Sequence, residues 1–479
     1  MNKLFFLIIP LLLSGFTHLW NPVGYPDIFF DEGIYMRHAI NFLDTGNPQE
    51  GNLYDHPYFG HIVVASILAI TNYVNFEPSS DAESLQSLYM IPRTFMGILA
   101  VIDTFLIYKI VQIRYNTIAA FLSATFFAVL PFTWIFKRIL LDSILLPLVL
   151  GAILLALYST KTKHKKTYII FSGCLIGLAV FTKIPAFTMI FVIIWIVYSD
   201  RKKISDIVLL LIPFLLIPLI WPINAIMLNQ FDLWQEGVLW QTQRSNSILD
   251  IIGFFAVIDP LMFILGAAGI VFAVIRRDKF LLLGFIPFAI FLSSIGYKQY
   301  FHLMMIIPVI CIAAGIWIDS IHKESIIKNK NIYVGLVAIM IVFGFISTTL
   351  LIINDISRNQ FQALSYILKN YDDSVTVLTS PVYSWILYRV FERENIPKDY
   401  SSILYYPTIT EKTVILADGH YRIDLDRGPQ LQNTFDESTI IQTFEGEIMK
   451  FDSKIYPYTN MQANEEATKI EIREWLRPK

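Results

Sequence analysis

LFFLIIPLLLSGFTHLWNPVGYPDIFFDEGIY, residues 4–35, decides how the rest of the chain is read. An apolar segment, Leu4 to Trp20, is followed by Asp31-Glu32 at the head of a polar stretch that closes on Asp55-His56-Pro57. Two adjacent carboxylates are costly to hold in hydrocarbon and cheap to hold in water. The stretch therefore predicts a membrane span followed by a loop that does aqueous chemistry or binds ions at the membrane face.

The remaining sequence agrees with a membrane reading. Of 479 residues 55% are hydrophobic, with a mean hydropathy of +0.55, against roughly 45–50% apolar in soluble domains. A helix needs roughly 20 apolar residues to cross the hydrocarbon core. Segments 4–20, 93–111, 117–136, 140–158, 168–182, 185–198, 207–227, 251–275, 280–296, 302–319 and 332–353 are the candidate spans. The fold class expected is an α-helical polytopic membrane protein of about 11 spans, with a small C-terminal α/β domain. No small-x-small cleavage site follows residues 4–20, so that segment reads as an uncleaved first span. Cys174 and Cys311 both lie inside apolar runs and read as buried thiols.

Charge gives the sidedness. Basic clusters fall at Lys109/Arg114, Lys161–Lys166, Arg201-Lys202-Lys203, Arg276-Arg277-Lys279 and Lys323–Lys330. Short loops rich in Lys and Arg stay cytoplasmic. An N-terminus inside puts every cluster in the cytoplasm and Asp31-Glu32 outside, in a plasma-membrane protein with its C-terminal domain outside. Residues 58–75 would invert this if they spanned. They are short and carry His61, and read as an interfacial helix in the first outer loop, 21–92. A second one is expected over 33–44. The transmembrane domain is taken as 1–353 and the outer domain as 354–479. In the latter, 375–381 and 412–419 read as strands, and 361–371 and 384–394 as helices.

Candidate residues lie at the outer corners. Asp31 and Glu32 suit a general base and an orienting carboxylate, and equally a helix N-cap. In Asp55-His56-Pro57, the proline suits a first helical turn, whose N-terminus is an anion site. Arg138 and Asp142 stand four apart and could form an intrahelical pair, or Arg138 could bind phosphate. Lys183 and Lys298 are cations on the side opposite the basic clusters; snorkelling or anion binding would each account for Lys183. Tyr297, Tyr300 and His302 share the Lys298 corner, where an aromatic belt would also put tyrosine. Arg93 heads the second span. Arg244 and the Trp234/Trp240 pair lie on the long outer loop, and Asp103 lies within a span with no catalytic role assigned.

These pieces, in this order, resemble the GT-C membrane glycosyltransferases, in particular the protein O-mannosyltransferase and lipid A aminoarabinose-transferase group (glycosyltransferase family 39-like). FDEGIY (30–35) looks like that family's first-loop Asp-Glu motif. DHPYFGH (55–61) looks like its HPPLGK segment, with Tyr58 at the second proline and His61 at the lysine. RTFMGILAVIDTFLIYKI (93–110), KRILLDSILLP (137–147), GLAVFTKIPAF (177–187) and GYKQYFHLMMIIPVICIAAG (296–315) are similar to the later segments. The resemblance implies inverting transfer of a sugar from a polyprenyl- or dolichyl-phosphate donor to an acceptor hydroxyl. Asp31 would be the base and Glu32 its assistant. Arg138, Lys183, Lys298, Tyr297 and His56 would hold the donor phosphate, with Arg93, Asp142, His61, Tyr300 and His302 lining the substrate loop. No cofactor is required by the sequence; a divalent metal near the first loop, held by His56 and Glu32, is possible by the resemblance. The partners expected are the lipid-linked donor, a protein, lipid or glycan acceptor and the bilayer, with no nucleic acid. Oligosaccharyltransferases are cousins, but their Trp-Trp-Asp motif is missing after residue 354. A transporter or flippase of lipid-linked sugars would instead show repeated halves, and a non-catalytic scaffold would leave the outer cations unexplained.

Overall fold

The computed structural model describes residues 4–51, 54–71, 78–243, 247–296, 298–324, 326–397, 412–423, 425, 428–445 and 469–476. Helix α1 (Phe5–Leu19) leads into α2 (Phe30–Thr45), α3 (Phe59–Ile70) and the long α4 (Ala82–Arg114). Then come α5 (Thr117–Val129), α6 (Leu141–Ser159), α7 (Lys165–Thr182), α8 (Ile190–Arg201), α9 (Ile204–Leu216), α10 (Ile220–Met227) and α11 (Phe231–Gln243). The helical bundle ends with α12 (Ile248–Ile258), α13 (Pro260–Ile275), α14 (Lys279–Ser294), α15 (Ile307–Lys323) and α16 (Lys330–Ile352).

Among the described residues five helical segments are long and apolar enough to cross a membrane, or seven if each sharply bent pair is one span. The eleven expected spans are not reached on that criterion because several are short: α1 has 15 residues and α14 has 16. Two expected spans are broken at proline, which lacks the N–H that would continue the helical ladder. Segment 117–136 bends by 68° where α5 gives way to a 3-10 helix, Pro131–Lys137, and segment 251–275 bends by 117° between α12 and Pro260 of α13. In Ile204–Met227 only 17% of the most apolar window is buried, and in Lys330–Ile352 28%. Apolar surface on that scale calls for lipid. Elsewhere the helices touch backbone to backbone: a Cβ on Gly173 or Gly177 of α7 would lie 2.4 Å from the Leu210 carbonyl or 2.7 Å from that of Pro213, both on α9.

The corners sort to two ends. Tyr115 Oη donates to Asp278 (2.8 Å), Asn116 Nδ2 to Asp319 (2.8 Å) and Lys161 Nζ to the Ile113 carbonyl (3.4 Å). Lys165 pairs with Asp200, and Arg276 with Glu324. These contacts tie the basic corners together at one end. The other end gathers Asp27, Asp31, Arg138 and Lys183. Helix α3 packs one face against the protein. It is wedged among α2, α4, α6 and α7, burying Gly60, His61, Val64, Ala65 and Leu68.

The C-terminal region begins just after α16 and contains α17 (Arg358–Asn370), β1 (Thr376–Leu378), α18 (Pro381–Trp385), β2 (Lys412–Ala417), α19 (Gly419–Ile423), α20 (Pro429–Glu437), β3 (Thr439–Glu445) and β4 (Lys469–Leu476). The sheet order is β1-β2-β4-β3, with β1 and β2 parallel and the other pairs antiparallel. The helix expected over 384–394 is shorter: after α18 a π-helical turn, Ile386–Val390, ends it. This region shares a core with the membrane domain. Val377, Leu416 and Ile472 pack in one cluster with Met36, Leu68 and Leu85. Gly33 of α2 permits the closest approach, since a Cβ there would lie 2.2 Å from the Pro381 carbonyl. The Trp385 indole donates to Tyr89 Oη (3.0 Å) on α4.

Candidate active site

The carboxylate pair is held at the first turn of α2, and its two members do different things. Glu32 is fully buried. Its Oε1 accepts from Arg93 Nε (2.9 Å) and the Ile139 amide (2.8 Å); its Oε2 accepts from Arg93 Nη2 (2.6 Å) and the Phe29 amide (2.8 Å). Four N–H groups fill the acceptor capacity of a carboxylate. Glu32 thus reaches back to its own helix start while gripping α4 and the chain before α6. Arg93 continues the grip, donating to the carbonyls of Pro22, Val23, Pro26 and Asp27. Both side chains, expected from the sequence to assist a base and to line the substrate loop, are thus fully buried and paired with each other inside the protein. A metal held by Glu32 and His56 does not fit, because the Glu32 oxygens are occupied. Among the described residues no group of three His, Cys, Asp or Glu side chains could hold a metal.

Asp31, one residue earlier, is only partly buried. Its charge is felt by Asp55 and Tyr300, which places three loops around one spot. Asp55 Oδ1 accepts from the His56 amide (2.9 Å). Burial raises the Asp55 carboxyl to about 7, and the Asp31 carboxylate pushes the same way while Lys183 opposes. His56 is pushed down, by burial first and then by Lys183 and His61. Its imidazole is therefore neutral near pH 7, offering at most an N–H where the sequence suggested a phosphate-holding group. Asp55 binds its proton more tightly folded than unfolded. Its contribution to stability is therefore full below the ordinary carboxyl value of 3.8 and is lost as pH rises through about 7. Asp55→Asn, which does not titrate, is expected to keep its melting temperature between about pH 5 and 8 while the wild type declines relative to it. Thermal unfolding of both proteins across that range checks this, and parallel curves would remove Asp55 as the titrating group.

The cations are arranged differently from the sequence expectation. Arg138 and Asp142 do not share a helix: Arg138 and Leu140 are both extended, between the 3-10 helix and α6. Arg138 instead pairs with Asp27, and Asp142 pairs with Lys183 (2.6 Å). The Arg138 guanidinium lies over the rings of Phe29 (4.5 Å) and Trp134 (5.2 Å), 1% exposed, and its Nε and Nη1 have no hydrogen-bond partner among the described residues. Lys183 caps the C-terminal end of α7, with Phe301 5.1 Å below its ammonium. Lys298 is buried, and Tyr300 and His302 are partly buried beside Phe301. His302 Nδ1 accepts from the Gln299 amide (3.0 Å). His61 is fully buried in a parallel stack on His38, 4.4 Å between ring centres, which accounts for it by packing. Tyr297 and Arg244 lie outside the described residues. Lys137 is also internal, donating to the Trp20 carbonyl (2.6 Å).

Residues 90–225 match the family model described as dolichyl-phosphate-mannose-protein mannosyltransferase. That segment, together with the fold likenesses that follow, supports a place among the GT-C proteins of the protein O-mannosyltransferase and ArnT-like group. The chain is similar in structure to the archaeal oligosaccharyltransferase AglB from Archaeoglobus fulgidus in complex with an inhibitory peptide and a dolichol-phosphate. The TM-score is 0.55 at 13% identity, over 88% of this chain and 71% of that one. It is likewise similar to apo ArnT from Cupriavidus metallidurans (TM-score 0.54, 11% identity, 98% of this chain and 97% of that one) and to the same protein bound to undecaprenyl phosphate (TM-score 0.52, 11% identity, the same coverage). These likenesses concern the fold. No curated sequence matches the chain.

Three carboxylates in or supporting the candidate site escaped the sequence reading. Asp27 lies in the opening stretch itself, but Asp142 stood at the spacing that seemed to satisfy Arg138. Asp55 was read only as part of the helix start at Pro57. Asp259 starts α13 after the 117° bend, accepting from the Met262 amide (2.8 Å) with one oxygen and the Phe132 amide (3.1 Å) with the other. It anchors the 3-10 helix that carries Arg138. Its signal is the Asp-Pro pair of a helix start, at 259–260, inside what reads as one continuous span.

Proposed function

We propose that this GT-C protein is an inverting glycosyltransferase that moves a sugar from a polyprenyl-phosphate donor to an acceptor hydroxyl. Asp31 is the general base that takes the acceptor proton. Arg138 donates to the lipid phosphate as negative charge grows on it, with the Lys183–Asp142 pair and Lys298 nearby. The observation that carries this reading is the Arg138 guanidinium: buried, steadied by two aromatic faces and one carboxylate, with two nitrogens unused. A buried donor left unpaired is costly, and an anion with several acceptor oxygens matches a guanidinium edge. Preorganised donors aimed at developing charge are a main source of catalysis. The complexes of AglB with dolichol-phosphate and of ArnT with undecaprenyl phosphate support the donor class. The active end is assigned to the extracytoplasmic face because the basic corners gather at the opposite end. A protein, lipid or glycan acceptor meets the chemistry equally.

The test is transfer of labelled sugar from a panel of polyprenyl- and dolichyl-phosphate sugars by the full chain in detergent. Arg138→Lys keeps a positive charge for Asp27 and removes the unused N–H edge. It is expected to raise the donor KM roughly 10–100-fold, as loss of hydrogen bonds to a charged group implies. Absence of turnover with every donor, or an unchanged KM in the variant, would count against the proposal.

A further inference from the structure

The ten residues from Trp20 to Phe29 form a strap between α1 and α2, and it carries Asp27, the carboxylate that holds Arg138. One side of the strap is gripped from the membrane domain, where Arg93 donates to four of its carbonyls. The other side is gripped by the C-terminal region. Ser357 Oγ donates to the Val23 carbonyl (2.7 Å), and the Ile356 amide donates to that of Gly24 (2.9 Å). The grip nearest Asp27 is made by Gln360 of α17. The Ile28 amide donates to Gln360 Oε1 (2.7 Å), and Gln360 Nε2 donates back to the Ile28 carbonyl (3.1 Å). One carboxamide thus satisfies both backbone groups of the residue after Asp27, as a neighbouring strand would. Gln360 and Ile28 are both at least 98% buried. An apolar packing role would not select a side chain with one donor and one acceptor, since each would have to be desolvated.

We infer that Gln360 is a positioning residue for the donor-phosphate grip: by fixing Ile28 it sets Asp27, and through Asp27 the direction of the unused edge of Arg138. This assigns the C-terminal region a part in donor binding, and it rests on the donor reading above. The effect of the carboxamide passes through the strap backbone.

Two variants of the full chain in detergent test it. Gln360→Met keeps length and apolar volume but removes both hydrogen bonds. Leu364→Ala opens a cavity one turn further along the same helix, at a fully buried core position, and serves as the stability control. The readouts are hydrogen exchange in residues 22–32, binding of undecaprenyl and dolichyl phosphate, and the split of donor KM against kcat. Gln360→Met is expected to speed exchange in 22–32 and to weaken phosphate binding and raise donor KM roughly five- to tenfold, with kcat at saturating donor little changed. Leu364→Ala is expected to melt earlier with binding and KM preserved. If both variants weaken binding in step with their loss of melting temperature, or if Gln360→Met binds as the wild type does, the inference is overturned while the donor reading stands. A wild type that binds neither polyprenyl phosphate overturns the donor reading and the inference with it.

Discussion

Asp31→Asn is expected to slow sugar transfer by roughly 10²–10⁴-fold, the range a positioned general base contributes. Asparagine has nearly the same shape, so the first turn of α2 should persist. The loss of a negative charge near a helix start costs about 0.3–1 kcal/mol. The Glu32–Arg93 grip, which fixes the turn, is untouched by the change. Single-turnover transfer at saturating donor isolates the proton-transfer step from donor binding, and a melting curve in the same detergent reports on folding. Full activity in a well-folded Asp31→Asn protein would move the base elsewhere, and Asp55, which shares its electrostatic environment with Asp31, would be the next carboxyl to substitute.

Arg93→Met is expected to be the most damaging single change to stability. It leaves the Glu32 carboxylate charged and fully buried with two of its four donors gone, and it also strips four backbone carbonyls of the strap. Removing one member of a buried ion pair costs about 3–5 kcal/mol, a large share of the 5–15 kcal/mol that typically separates folded from unfolded states. The expected result is little monodisperse protein, or a melting temperature far below that of the wild type. The double change Glu32→Leu with Arg93→Met removes both charges and is expected to recover part of the loss, since apolar replacements of buried pairs are often tolerated. Size-exclusion profiles and thermal unfolding of the two variants decide this. A stable Arg93→Met protein would mean that the strap holds itself.

The two changes separate residues that look alike in sequence. Asp31 and Glu32 are neighbours of the same chemical type, and nothing local distinguishes a base from a clamp. The difference arises because successive helical residues point about 100° apart. In α2 one direction faces the partly open site and the other faces Arg93. The same limit explains the pairing error at Arg138. Four-residue spacing implies contact only if the helix is continuous, and Arg138 lies outside α6, which begins at Leu141.

Composition and the order of apolar and charged segments determined that this is a polytopic membrane protein, that its basic corners belong to one end, and that the carboxylates and isolated cations of the other end are where chemistry should be sought. Those conclusions follow from transfer free energies, which are summed over segments and need no partner. Which carboxylate meets which cation was decided only by the tertiary structure. Asp27 with Arg138, Asp142 with Lys183, Glu32 with Arg93, and Gln360 against Ile28 join residues 41 to 332 positions apart. The energy of a buried pair or hydrogen bond depends on ångström-scale distance and on exclusion of water. Both exist only once the helices and the C-terminal region have closed around the strap.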